Sequence, residues 1–579
     1  MSGFNNASFK LPTVANEPNK HYTPGSPERE ALSQELKAMQ AAAPFHVPAF
    51  VNGKEASKTC YFRRRSNMSI RRALVWHGTE VPGSGPKTEQ VMPHKHKSVL
   101  ATFSTSSPEL ASEAIDAALK AKPEWESMPF SDRAAIFLKA ADLVSGKYRA
   151  KLCAATMLGQ GKNAWQAEID AAAELADFLR FGCAQVEQLF KMQPTENSPG
   201  VWNRVEFRAL EGFVFAVTPF NFTAIGGNLV FVPALLGNVV LWKPSPGATY
   251  ASWIVQQIFL EAGLPKNVIQ FLPCPNGEPT ISLVNRVIDH RLFAGLHFTG
   301  STHVFRGLWK SIANNVDKYL SYPRLVGETG GKNWQLVHPS ADPRAAAIQA
   351  LRGAFEYQGQ KCSALARLYV PKSLWEGEGA FKKVLVEEVN KITLGAVDQF
   401  EHFMGPVISK QSFDKCIGYI EKAKAAGGEV ECGGTGDDSV GYFVKPTVIV
   451  TKDPKSVTMV EEIFGPVMTV YVYEDADFEK TCELIDTTTE YALTGCIFST
   501  DRAAIVKANS LLRNASGMFY INDKCTGAVV GQQPFGGARG SGTNDKAGSM
   551  SIFMRFVQAR SIKETFLPPL EFAYPSNVA

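Results

Sequence analysis

Two residues of the 579-residue chain have the type and setting for covalent catalysis. Cys362 lies in FEYQGQKCSALARLYV. It follows the polar turn Gly359–Gln360–Lys361 and precedes a Ser-Ala-Leu-Ala run that reads as helix-forming and leads into an apolar strand. A cysteine near a helix start gains thiolate character from backbone N–H groups, and Lys361 would add positive potential. The plainer alternative, right for most of the ten cysteines, is a buried structural thiol. Glu328, in LVGETGGKNWQLV, stands at a strand end before Gly330–Gly331, where backbone turns tightly or packs closely. A carboxylate there can take a proton from water beside a nucleophile; a lone surface carboxylate is the competing reading. Asn221, in TPFNF, has an amide suited to an oxyanion or to capping a turn.

Other segments suit ligands rather than bond making. Phe298–Thr299–Gly300–Ser301 ends a strand and opens a helix, an anion site fit for a pyrophosphate, although a full GxGxxG is absent. Trp242–Lys243–Pro244–Ser245 ends another strand, and Lys243 there reads as a ribose contact or as an ordinary surface lysine. The glycine-rich run from Tyr520 to Gly537 can bind a carboxylate through consecutive N–H groups, or be a plain loop.

The elements that must hold these residues alternate. Apolar runs Phe213–Val217, Val239–Trp242, Val268–Leu272 and Ala294–Phe298 alternate with helical stretches 223–236, 250–263, 277–287 and 302–316, which predicts a doubly wound parallel sheet. A second alternating region holds Trp334–Val337, Ala366–Val370, Thr447–Val450, Val467–Tyr473 and Gly495–Phe498. Helical spacing also marks 27–40, 108–121 and 131–190. Gly212–Trp242 is uncharged, but its prolines, glycines and asparagines suit a buried strand–helix–strand unit better than a membrane span.

Composition narrows the classes. Hydrophobic residues are 45% and charged residues 20%, as in an ordinary globular protein, which excludes collagen, coiled coil and general disorder. The net charge of +4 is too small to indicate nucleic acid or membrane as a partner. Residues 59–86 hold that whole excess, five arginines against Glu80, and the rest of the chain is neutral. The two basic clusters there read as a solvated loop rather than a nucleic-acid patch. The cysteines form no CxxC and no metal set with histidine, so no metal is expected, and their usage suits a reducing compartment. The first 20 residues lack arginine and match a transit peptide poorly.

The motifs TPFNF, LWKPS, FTGS, GETGGKN, GQKC, EEIFGPV and QPFGG occur in the order of the aldehyde dehydrogenase superfamily, which the chain resembles from about Val91 to Lys563. AEIDAAAELADFLRF, DDSVGYFV and INDKCTGAVVGQQPFGGARGSGTNDKAG are similar to the branch that oxidises glutamate γ-semialdehyde. The resemblance implies an α/β fold with a Rossmann-type NAD-binding domain, an α/β catalytic domain and a small oligomerisation element. It implies Cys362 as nucleophile, Asn221 with the Cys362 N–H as oxyanion site, and Glu328 as general base. NAD would be held by Thr218, Pro219, Lys243, Gly300, Ser301, Glu462 and Phe464. The substrate carboxylate would meet Ser363, Gly527 and Ala528, its ammonium group Glu174, and its chain Phe222 and Phe535. The implied divisions are an arm at 1–58, an insert of doubtful origin at 59–86 with no counterpart in the family pattern, and an NAD-binding domain at 87–327. A catalytic domain at 328–520 and an anchor loop and oligomerisation tail at 521–579 follow. A hairpin at 191–211 would pair with that tail across a homodimer or higher oligomer.

The chain departs from the pattern at Phe305, where the family often has glycine, and at Pro246, where many members have the glutamate that reads a ribose 2′-hydroxyl. NAD over NADP therefore follows from the branch. The branch implies the mitochondrial matrix, with cytosol as the alternative. Competing functions are an aldehyde dehydrogenase of another substrate range and a non-catalytic binding protein on this fold.

Overall fold

In a computed structural model, residues 10–61, 72–76, 79–82, 88–377 and 381–577 are described. Two large sheets organise them. The first has nine strands, and its parallel part runs Arg324–Glu328, Phe293–Thr299, Phe213–Val217, Val239–Lys243 and Ile269–Phe271 across the sheet. The uncharged stretch is thus strand, helix Thr223–Leu235, strand, all in the protein core. Among the described residues no helix is long and apolar enough to cross a membrane. The second sheet has seven strands, with Leu365–Pro371 between Asn333–Val337 and Val467–Tyr473, all parallel. Strands buried on both faces read as continuous apolar runs, which is why both regions were legible as α/β.

The expected N-terminal arm is part of the body. Its helix Pro27–Ala42, capped by the Ser26 side chain, buries Leu32, Leu36 and Met39 in the main core. Strands Ala49–Val51 and Lys54–Tyr61 extend the nine-stranded sheet. The insert, expected as a loop, contributes two further antiparallel strands, Arg72–Trp76 and Thr79–Pro82, at that sheet's edge. Residues 62–71, 77–78 and 83–86 of the insert lie outside the described residues.

Residues 191–211 hold one strand, Val201–Ala209, rather than a hairpin. Its partner is the C-terminal strand Val557–Thr565 of the same chain, antiparallel over nine residue pairs. The long helical stretch after 131 is interrupted by a π-turn at Glu168–Glu174, a wide turn that often marks a functional site.

Candidate active site

Cys362 sits at the inner end of the seven-stranded sheet. No helix follows it: strand Leu365–Pro371 begins three residues on, because Leu368, Tyr369 and Val370 are fully buried between neighbouring strands. Tertiary burial overrides the helix propensity of Ser-Ala-Leu-Ala here. The turn before Cys362 is unusual instead. Tyr357, Gln358 and Gly359 all have left-handed φ, of 50, 54 and 67°. Such strain needs an external hold, and three bonds provide it. Tyr357 Oη donates to the Gln160 carbonyl at 2.9 Å, and Gln358 Nε2 donates to the carbonyls of Gly161 and Pro406 at 2.7 Å each. On the far side Asn333 Nδ2 donates to the carbonyls of Cys362 and Ala364, both at 2.7 Å.

The glycines of GETGGKN serve close approach. A Cβ on Gly331 would stand 2.1 Å from the Cys362 carbonyl oxygen, and one on Gly330 2.5 Å from the Glu462 carboxylate. Gly331 N–H donates to Glu462 Oε1 at 2.8 Å. The other motif residue, Glu328, ends its strand with a carboxyl that accepts from Gly537 N–H at 3.2 Å. Gly536 lies against the same carboxyl, so QPFGG contributes to the base as well as to the loop.

Burial raises both Cys362 and Glu328. The Cys362 thiol is pushed above the ordinary range by desolvation and then by the carboxylates of Glu328 and Glu462, while the N–H groups of Cys362 and Ser363 pull it down. Glu328 is pushed well up by desolvation, against the pull of Gly537 N–H and Lys546. Lys361 is not a source of potential at the thiol. Its ammonium lies 3.1 Å from Glu356, which also holds Lys524 at 3.1 Å. Burial alone would raise Glu356, but Lys361 and Lys524 hold it down at about 2.

Asn221 is buried in the loop after strand Phe213–Val217, and one N–H of its amide donates to the Gln360 carbonyl at 3.0 Å. The amide has a second N–H to offer. The loop is fixed by Asp170, which accepts from the N–H groups of Thr223 and Ala224 at 3.0 and 2.9 Å. Asp170 in turn pairs with Lys162, whose ammonium lies 3.9 Å from the Phe222 ring centre and 4.5 Å from that of Tyr357. Neither Lys162 nor Asp170 was a candidate from the sequence, because only the folded chain brings residues near 165, 222 and 357 together.

Glu174 closes the π-turn. Its carboxyl has no hydrogen-bond partner among the described residues, and burial followed by the charge of Asp170 pushes it up to about 8. Ser363 is buried, with its hydroxyl 2.7 Å from that of Thr526. The next two residues of that loop, Gly527 (φ 97°) and Ala528, have N–H groups without partners among the described residues. Phe222 and Phe535 are half-buried, and Phe535 is held by backbone bonds to Ala547 of 2.9 and 2.7 Å.

The dinucleotide candidates gather at the carboxyl ends of the nine-stranded sheet. Lys243 is 5% exposed; its ammonium has no ion-pair or hydrogen-bond partner among the described residues and is held down at about 8 by burial. Thr218 is buried and takes a 3.0 Å bond from Trp242 Nε1; Pro219 is buried beside it. Ser301 caps helix Thr302–Asn314, and Gly300 N–H donates to the Glu328 carbonyl at 3.1 Å. The helix start thus keeps N–H groups for an anion. Phe464, itself left-handed at φ 60°, packs edge-on against Phe220 at 5.8 Å. A buried lysine with no partner, a capped helix start and a carboxylate beside an aromatic ring form a donor set that fits a dinucleotide. Phe305, the departure from the pattern, stacks on Phe298 at 5.3 Å and covers Gly327, where a Cβ would stand 2.3 Å from its ring.

The comparisons agree with this architecture. The model of the aldehyde dehydrogenase family matches residues 81–562. The delta-1-pyrroline-5-carboxylate dehydrogenase of Agaricus bisporus is 58% identical over 572 residues, 99% of either chain. The mitochondrial enzyme of that name from Homo sapiens is 46% identical over 97% of this chain and 94% of its own. The crystal structure of the Mycobacterium tuberculosis delta-pyrroline-5-carboxylate dehydrogenase bound with NAD superposes with a TM-score of 0.90 at 43% identity, covering 99% of this chain and all of the other. With five-sixths of its length under the family model, the chain belongs to the aldehyde dehydrogenase family.

Proposed function

We propose that the chain oxidises L-glutamate γ-semialdehyde, the open form of 1-pyrroline-5-carboxylate, to L-glutamate with NAD as acceptor, a step of proline catabolism. The observation that carries this reading is polar. A half-buried carboxyl at Glu174 with no hydrogen-bond partner among the described residues suits an α-ammonium group, and the N–H groups of Gly527 and Ala528, likewise without partners there, suit an α-carboxylate together with Ser363. The relatives named above support it.

In the reaction the Cys362 thiol gives its proton to water, and its sulfur bonds to the aldehyde carbon as the carbonyl π bond opens onto oxygen. The charge left on oxygen meets the free N–H of Asn221 and the N–H of Cys362. Bound NAD would supply the hydride acceptor, and loss of the aldehydic hydrogen with its electron pair would leave a thioester on Cys362. Glu328 then takes a proton from water, the water oxygen bonds to the thioester carbon, and the carbon–sulfur bond breaks to release glutamate. Lys243 holds the adenosine ribose, Gly300 and Ser301 the pyrophosphate, Glu462 and Phe464 the nicotinamide ribose, and Thr218 and Pro219 line the groove. Phe222 and Phe535 sandwich the aliphatic part of the substrate.

The test is NADH absorbance with pyrroline-5-carboxylate and with propanal. A kcat/KM for propanal equal to that for the semialdehyde would contradict the assignment. Relatives from Emericella nidulans, Dictyostelium discoideum and Homo sapiens are named as mitochondrial, and the matrix is proposed here. A diffuse cytosolic signal from a full-length fluorescent fusion would overturn it. Strand Val557–Thr565 and the exposed Phe566, Leu567, Leu570 and Phe572 beyond it support at least a homodimer, which sedimentation reads directly.

A further inference from the structure

Asn16 lies outside the stretch matched by the family model, in the extended segment ahead of the first helix. Its side chain is fully used. Nδ2 donates to Asp177 Oδ2 and to the Val530 carbonyl, both at 2.7 Å, and Oδ1 accepts from Gln532 Nε2 at 2.9 Å. Glu17 N–H adds a 2.7 Å bond to the other oxygen of Asp177. Asp177 is three residues after Glu174, in the helix that continues the π-turn. Val530 is two residues after Ala528, and Gly531 beside it lies so close to Phe181 of the same helix that a Cβ would stand 2.5 Å from the ring. One amide therefore bolts the loop with the free N–H groups to the helix with the unpartnered carboxyl.

The rest of the segment is anchored separately. The Glu17 carboxylate pairs with Arg149 and Arg180 at 2.7 Å each, and Tyr22 Oη donates to Glu168 at 2.6 Å. These bonds hold the segment down without touching the loop.

We propose that Asn16 is a positioning residue for substrate specificity: it sets the separation between the Glu174 carboxyl and the Gly527 and Ala528 N–H groups, and so the fit to an amino-acid head group. The proposal rests on the head-group roles given above. A three-carbon aldehyde has no such head group, and its oxidation is independent of Asn16.

The test compares Asn16→Ala with the unaltered full-length chain on pyrroline-5-carboxylate and on propanal. KM for the semialdehyde is expected to rise fivefold or more, with its kcat and both constants for propanal within twofold. Glu17→Gln, which loosens the segment but keeps the loop bonds, is expected to lower Tm while leaving KM within twofold. An unchanged KM in Asn16→Ala, an equal loss on both substrates, or an equal KM rise in Glu17→Gln overturns the proposal. Glu174→Gln run in parallel separates the two readings. If it raises KM and Asn16→Ala does not, only the positioning role fails; if it too leaves KM unmoved, the head-group assignment has failed.

Discussion

The Lys162 ammonium and the Asp170 carboxylate meet at 2.7 Å with both side chains fully buried, directly behind the loop that carries Asn221 and Phe222. Removing one member of such a pair leaves the other charged and unpaired. Asp170→Ala is expected to cost about 3–5 kcal/mol, and it also strips the acceptor from Thr223 and Ala224 N–H. Urea unfolding measures it; a loss under about 1 kcal/mol would mean that water replaces the carboxylate.

Substitutions at the proposed nucleophile and the proposed base should fail differently. Cys362→Ala is expected to abolish NADH production while leaving Tm within a degree or two, since the side chain is small and only partly buried. Glu328→Gln is expected to keep the first half-reaction and slow thioester hydrolysis by about 10²–10⁴-fold. Rapid mixing would then show one NADH per active site followed by a slow phase. A uniform loss with no burst would move Glu328 out of the hydrolytic step.

Glu174 predicts a pH profile. Its carboxyl, raised to about 8, is mostly neutral below that pH, and only the ionised form pairs with an ammonium group. For the semialdehyde, kcat/KM is therefore expected to rise with pH through about 8. Glu174→Gln should lose that limb, and propanal should not show it. Profiles of the same shape for both substrates would place the titration elsewhere.

Glu356 predicts a stability profile. Its carboxyl is held at about 2 in the folded chain against an ordinary value of 4.5. A depressed carboxyl contributes above the unfolded value and loses that contribution as pH falls through the folded one, here from about 4.5 to 2. The difference corresponds to about 3 kcal/mol. Glu356→Gln should lower stability at pH 7 by an amount of that order, and the gap to the unaltered chain should shrink to about 1 kcal/mol or less by pH 2.5. A gap independent of pH would point to packing instead.

Much of this was legible in the sequence because the chemistry sits at strand ends and the strands are apolar runs. Glu328, Lys243 and Gly300 each end the run that was read from residue types alone. Cys362 was singled out from its neighbours, but its setting was misread, since what orients it is the left-handed Tyr357–Gln358 pair, a conformation with no side-chain signature in those residues. Lys361 was assigned to the thiol because they are neighbours in sequence; its charge goes to Glu356, which only the fold brings opposite it. The strands of the insert were hidden for a different reason. They are the two outermost strands on one side of the nine-stranded sheet, and Arg72–Trp76 and Thr79–Pro82 have little periodicity to read.

The bond from Asn16 to Val530 spans 514 residues of chain. At a synthesis rate of about 5–20 residues per second, roughly half a minute to two minutes pass between the appearance of the two ends. Through that interval the segment before the first helix has no loop to grip, and the helix at Leu175–Phe190 waits with one flank uncovered. The head-group end of the pocket is therefore finished last. A ribosome that stops short of Val530 leaves a product that lacks both the grip of Asn16 on the loop and the Gly537 N–H that holds the Glu328 carboxyl.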